Sequence, residues 1–464
     1  MSSLSLVSGT VLTMGAERRI WRDATVVVED GRIAAVGPAA GGAPLDCRGK
    51  VVLPGLVNAH AHTLEVLFRG CGGELRLLPW IHERSHPLLD RLDEQGAAVA
   101  TRLAGLEMLR TGTTAFLDPE VPPRLLAAMT RAAAETGLRA ALALGVEGEA
   151  GYGRHGHDGP AHDHGHPAAT ALSAAERTAL DGWCDPTGGR LALWLGPRVL
   201  SAVTPALGRA LRQEAERRGL GITFHCAEVP EDVAHVHASG SETVVGFATE
   251  RGLLGPRSVL THGVYLAEAE LAPLAATGAS VAHCPSSNAK LGSGVAPVPA
   301  MCAHGVNVAL GTDGGLCNDT YDLLSEMRLA GLIHKAVARD PAAITPETIL
   351  ELATVNGARA LGLADTGTLE PGSWADLLVV DLRRAGSWPT PHPVDSLVFS
   401  ANRAVVDSVL VGGEVVLRDG QPVGVDERRL LTEAEEVARQ AIEEAGLASA
   451  VGPRWPVTTA LAAR

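Results

Sequence analysis

From residue 52 onward, short apolar runs alternate with longer stretches of helical periodicity, and this rhythm restricts the fold more than any other feature of the chain. Eight runs follow one another: Val52–His62, Thr113–Asp118, Leu138–Val146, Leu191–Val199, Gly221–Glu228, Ser258–Val264, Ala279–Pro285 and Val306–Asp313. Between them, Gln95–Arg110, Pro205–Arg218 and Glu268–Thr277 are apolar at helical spacing. Strands that alternate with helices form a parallel sheet, because a parallel neighbour needs a long crossover. Eight such units predict a (β/α)8 TIM barrel, with functional groups at the C-terminal ends of its strands. A doubly wound α/β sheet would carry Gly-x-Gly-x-x-Gly after the first strand, and none is present.

The chain ends read differently. Residues 3–54 form short β-branched runs, with Asp30-Gly31 between Ala24–Glu29 and Arg32–Val36 as a hairpin signal. After the eighth run, helical patterns cover Asp319–Arg339 and Pro346–Leu361, and Asn318 and Asp319 are expected to cap the first of these. Strand patterns return at Ala375–Asp381 and Val409–Leu417, the latter folded at Gly412-Gly413. The expected organisation is a small β-sandwich built from both chain ends, residues 1–54 and 366–426, around a catalytic barrel, 55–365. Residues 427–446 read as a helix, within a C-terminal segment 427–464.

Composition narrows the partners. The chain has 464 residues and a net charge of −14, which argues against nucleic acid, whose phosphates call for a basic footprint. No apolar run reaches the length of a membrane-spanning helix, and the N-terminus lacks the basic and apolar regions of a signal peptide. The seven cysteines are odd in number and contain no Cys-x-x-Cys, the pattern of a reduced interior. A cytoplasmic enzyme with a small-molecule substrate is expected.

Metal-competent groups gather at the predicted strand ends. His60 and His62, two apart, share one face of a strand and can share one metal ion. The fifth run ends in His225-Cys226-Ala227-Glu228, the sixth in His262, the seventh in His283 and the eighth in Asp313. Buried charge at one barrel rim costs several kcal/mol (roughly, per ion) unless it is paired or metal-bound. Three imidazoles and one carboxylate make a catalytic metal site with room for water, and a divalent ion there lowers the pKa of that water to ~7. Asp313 can ligate and also accept the water's proton. Glu228, past its strand end, can shuttle a proton, and His262 can hydrogen-bond the hydroxide or polarise the bond under attack.

The segments Pro54–His62, His225–Glu228, Thr261–Gly263, His283–Gly294, Gly311–Gly314, Ala353–Gly362 and Gly367–Asp381 together resemble the metal-dependent amidohydrolase superfamily. The likeness covers nearly the whole chain. It is closest to the methylthioadenosine/adenosylhomocysteine deaminases and to the triazine hydrolases and deaminases. The resemblance implies that His60, His62, His225 and Asp313 carry the metal, that Glu228 and His262 assist, and that the chain forms a homodimer or larger assembly. It implies an aminohydrolase that replaces an exocyclic amino group of an N-heterocycle and releases ammonia. The alternative is displacement of a halide or alkylamine, or opening of a cyclic amide. Some superfamily members bridge two metals with a carbamylated lysine, but no lysine lies between Lys50 and Lys290, so one divalent ion is expected: zinc, with iron as the other candidate. Arg198 stands where nucleoside deaminases of this branch place a histidine, which counts against adenosine-type substrates. It would bind a substrate carbonyl or carboxylate, or serve as an ion-pair partner.

Trp80, Arg198 and His283 are the expected substrate contacts, Trp80 by stacking on a planar ring, with a buried core position as its equal alternative. Ser287 and Asn288 are expected only to shape their loop. Five of the seventeen histidines fall in residues 154–166, read as a low-complexity surface loop rather than a metal site.

Overall fold

The computed structural model describes residues 3–38, 41–149 and 169–457. The histidine-rich segment 154–166 lies outside the described residues.

All eight predicted runs contribute a strand to one parallel sheet: Leu56–Asn58, Thr113–Val121, Arg139–Val146, Leu191–Pro197, Gly221–Cys226, Ser258–His262, Ser280–His283 and Asn307–Leu310. They lie in chain order and each neighbouring pair is parallel. Just beyond the ends of the first and eighth strands, backbone bonds bring the two together. Ala59 N–H donates to Leu310 O (2.8 Å), and the N–H groups of Thr312 and Asp313 both donate to His60 O (3.0 and 2.9 Å). Asn58 reinforces this seam, accepting from Thr312 N–H at 3.1 Å and donating to Thr312 Oγ1 at 2.8 Å. Gly311 permits the approach, since a Cβ there would stand 2.8 Å from that of His60.

Alternation sorts the strand side chains into two cores. Val57 and Ala59, Ala115 and Leu117, Ala141 and Ala143, with Trp194, Val259, Ala282 and Ala309, fill the barrel interior, together with Ala358 and Ala360 from the helix Val355–Ala360. The opposite faces, such as Leu56, Phe116, Leu142, Phe224 and Leu260, join the larger core shared with the surrounding helices. The helix Pro205–Arg218 starts on its Thr204 cap and ends at Gly219 in the left-handed region, as its sequence signals require. Two helix boundaries differ from expectation. The helix Leu323–Ala338 is capped by Asp322, not by Asn318 or Asp319. The stretch predicted as one helix is two, Pro346–Ala353 and Val355–Ala360, broken at Thr354.

The chain ends interleave in a second, nine-stranded sheet. Val51–Pro54 sits at its junction, parallel to Ser3–Leu12 on one side and antiparallel to Leu377–Val380 on the other. Asp30-Gly31 turns the predicted hairpin with both residues at positive φ, 49° and 80°. One buried ion pair joins this sheet to the barrel. Arg139, opening the third barrel strand, forks onto both carboxylate oxygens of Asp376, and Asp376 also accepts from Gly412 N–H at 2.7 Å. Both side chains are nearly inaccessible. Asp376→Ala would strand the guanidinium and cost about 3–5 kcal/mol. A clear fall in the calorimetric melting temperature is expected, with partial recovery in Arg139→Met/Asp376→Leu.

Candidate metal centre and active site

The seam between the first and eighth strands places His60, His62 and Asp313 together. Oδ1 of Asp313 is 3.5 Å from Nε2 of both histidines. His225, at the end of the fifth strand, brings its Nε2 to 3.2 Å from Nε2 of His62. Its ring stacks on that of His62 at a centroid distance of 5.3 Å, while the His60 ring stands edge-on to both. His60 is fully buried, its Nδ1 paired with Thr261 Oγ1 at 3.0 Å and its Nε2 lacking a hydrogen-bond partner among the described residues. A buried imidazole nitrogen without a partner is costly, and a metal ion held between these four side chains would remove the cost. The donor set, three imidazole nitrogens and carboxylate oxygen, suits such an ion.

The protein fixes these ligands from behind. Ser287 Oγ donates to Asp313 Oδ2 at 2.6 Å, and the Tyr321 hydroxyl donates to His62 O at 2.6 Å. Burial raises the Asp313 carboxyl pKa, but the neighbouring His60 ring first, and those of His262 and His62 after it, hold it well below the usual range. It stays ionised, as a ligand must.

Glu228 and His262 form the second half of the site. Glu228 Oε2 lies 3.3 Å from His262 Nε2, and Ser293 Oγ donates to Glu228 Oε1 at 3.3 Å. Burial first, and the Asp313 charge second, push the Glu228 carboxyl up to about 8. Burial drives the His262 ring well below its ordinary pKa, so it is neutral. Asn288 Nδ2 donates to His262 Nδ1 at 2.9 Å, which leaves the ring proton on Nε2, facing Glu228.

Among the described residues, two triads can hold an ion: His60, His62 and Asp313, and His60, His225 and His262. Residues 51–416 match the amidohydrolase family. The chain belongs to that family. A 5-methylthioadenosine/S-adenosylhomocysteine deaminase of Pelotomaculum thermopropionicum is 33% identical, over 94% of this chain and 98% of that protein. A 5'-deoxyadenosine deaminase of Methanosarcina barkeri is 33% identical over 95% and 99%. An adenosine deaminase of Xanthomonas campestris, solved with bound zinc, superposes with a TM-score of 0.84 at 30% identity, covering 95% of this chain and 99% of that one.

The three side chains expected to contact substrate have the following surroundings in this amidohydrolase. His283 points away from the interior face held by Ala282, and its Nε2 is 3.1 Å from Nε2 of buried His334 on the helix Leu323–Ala338. It is not part of the cluster. Arg198 is engaged by carboxylates, with Nη1 2.6 Å from Glu147 Oε1 and Nε 3.8 Å from Glu120 Oε2. Trp80 is buried in the core, its Nε1 without a partner, next to Gly72, which in turn abuts Leu316 O.

Sequence reasoning missed Ser287, Asn288, Tyr321 and Glu120. Ser287 and Asn288 do more than shape a loop, since one holds the carboxylate ligand and the other sets the His262 tautomer. Asn288→Ala is expected to lower kcat about 10–100-fold while bound metal, measured by mass spectrometry, stays at the wild-type level.

Proposed function

We propose that this amidohydrolase is a mononuclear zinc-dependent aminohydrolase that deaminates an N-heterocycle, with 5'-substituted adenosines as the leading substrate class. The observation that carries the reading is the convergence of His60, His62, His225 and Asp313 beside a protonated Glu228. The relatives' names support the substrate class, since two of those described are deaminases of adenosines altered at the 5' position. The absence of lysine between residues 50 and 290 supports a single ion.

A divalent ion held by those four residues would lower the pKa of a bound water to ~7. Asp313, ionised and held by Ser287, accepts a proton on its carboxylate. Glu228 carries a proton at neutral pH and delivers it to the ring nitrogen next to the amino-bearing carbon. The His262 Nε2–H hydrogen-bonds the oxygen that adds to that carbon, and its fixed tautomer prevents it from acting as a base. Asp313 then passes its proton to the amino nitrogen, the added hydroxyl returns a proton to Glu228, and the C–N bond breaks to release ammonia as the ring carbonyl forms.

Ammonia release from a panel of 5'-substituted adenosines, aminopurines, aminopterins and aminotriazines tests the reading, and no release from any member with zinc-loaded protein overturns it. Glu228→Gln should retain metal and lose about 10²–10⁴-fold in kcat. Because the raised carboxyl is protonated only below its folded value, kcat should fall as pH rises through about 8.

A further inference from the structure

Glu120 reaches the metal cluster from three strands away. It belongs to the second barrel strand, whereas His225 belongs to the fifth. A bulge carries it there. The second and third strands are in register at Asp118 with Leu142 and again at Val121 with Leu144, so one extra residue is inserted around Pro119-Glu120. Glu120 itself takes φ of +59°, a conformation that costs a non-glycine residue on the order of 1–2 kcal/mol. The two intervening strands make room for it. A Cβ at Gly145 would stand 3.1 Å from Glu120 O, and one at Gly196 would stand 3.1 Å from Glu120 N. Strain, bulge and two glycines all serve to bring one carboxylate over the mouth.

The carboxylate arrives at His225. Glu120 Oε1 is 2.8 Å from Nδ1 of that ring. The contact is an ion-pair approach rather than an aligned hydrogen bond, and it favours the proton on Nδ1, leaving Nε2, the nitrogen turned toward His62, to serve as a ligand. Behind Glu120, Arg198 lies 3.8 Å from Oε2 and is itself bound by Glu147 at 2.6 Å. Glu147 is the residue after the third strand and Arg198 the residue after the fourth, so the row Glu147, Arg198, Glu120, His225 runs across the rim.

We propose that Glu120 is a positioning residue for the metal centre, orienting His225 through its Nδ1 and strengthening its Nε2 as a ligand, with Arg198 and Glu147 holding the carboxylate in place. The proposal rests on the metal reading given above. It gives Arg198 a role through Glu120 rather than through a substrate carboxylate.

The test is zinc affinity of the full chain, stripped of metal and titrated in competition with a chromophoric chelator. Glu120→Leu, which keeps bulk and removes the acceptor, should weaken zinc about 10–100-fold. Glu120→Gln, which keeps an acceptor and removes the charge, should lose less than Glu120→Leu but measurably. Arg198→Met should shift affinity in the same direction. The visible spectrum of the cobalt-substituted protein should change in Glu120→Leu, which loss of packing at a distance would not cause. Wild-type affinity and an unchanged cobalt spectrum in Glu120→Leu overturn the proposal. If Glu120→Leu does not fold, Glu120→Gln with wild-type zinc affinity overturns it instead. A wild-type chain that binds no zinc would overturn the metal reading itself, a result distinct from either.

Discussion

Closure of the barrel is the constraint from which the site follows. The first and eighth strands are the most distant in sequence, yet His60 O accepts from two successive N–H groups of the eighth, and Asn58 clasps Thr312 beside it. That seam sets His60, His62 and Asp313 within reach of one ion before any other strand contributes. Gly311 is small because the backbones approach so closely there. The remaining groups, His225, Glu228 and His262, come from the fifth and sixth strands, whose register pairs Cys226 with His262 and so presents both ends at one level. A change that loosened the seam would separate the ligands even if every ligand remained.

Backbone strain is also stored where these strands end. Glu120, Ala227, His262 and Asp313 all have positive φ, from 50° to 75°, and none is glycine. Such conformations persist only where the surroundings over-determine them, and they cluster at functional sites. Here each one turns the chain at a strand end beside the residues proposed to hold or attend an ion. The hydrogen bonds from Ser287, Asn288 and Ser293 then fix the side chains that the turns present. Rigid orientation of proton carriers in a dry site is the form of catalysis this architecture favours.

The fold was largely legible because its signals are local. Periodicity located all eight strands, and proline and glycine marked both ends of Pro205–Arg218. The cluster was legible because histidines and a carboxylate at strand ends have little reason to be there otherwise. The family match and the solved adenosine deaminase agree with that reading of fold and family. Other features depend on information a sequence carries weakly. A one-residue bulge gives no local signature, so nothing in the sequence singles out Glu120, two residues past the run Thr113–Asp118. Asn318 and Asp319 are capping residue types, but the helix Leu323–Ala338 starts later, and Asp322, directly before it, accepts from Leu324 N–H. His283 was readable: alternation from Ala282 turns it outward, toward His334. Arg198 was left open between substrate and ion pair, and two carboxylates from neighbouring strands now engage it.

The central claim is one ion held by His60, His62, His225 and Asp313. X-ray absorption spectroscopy of zinc-loaded protein, combined with the metal content per chain, tests it most directly. The account predicts one zinc per chain, with histidine nitrogens and oxygen ligands at about 2.0–2.2 Å. Two ions per chain, or a shell containing sulfur at about 2.3 Å, would contradict it.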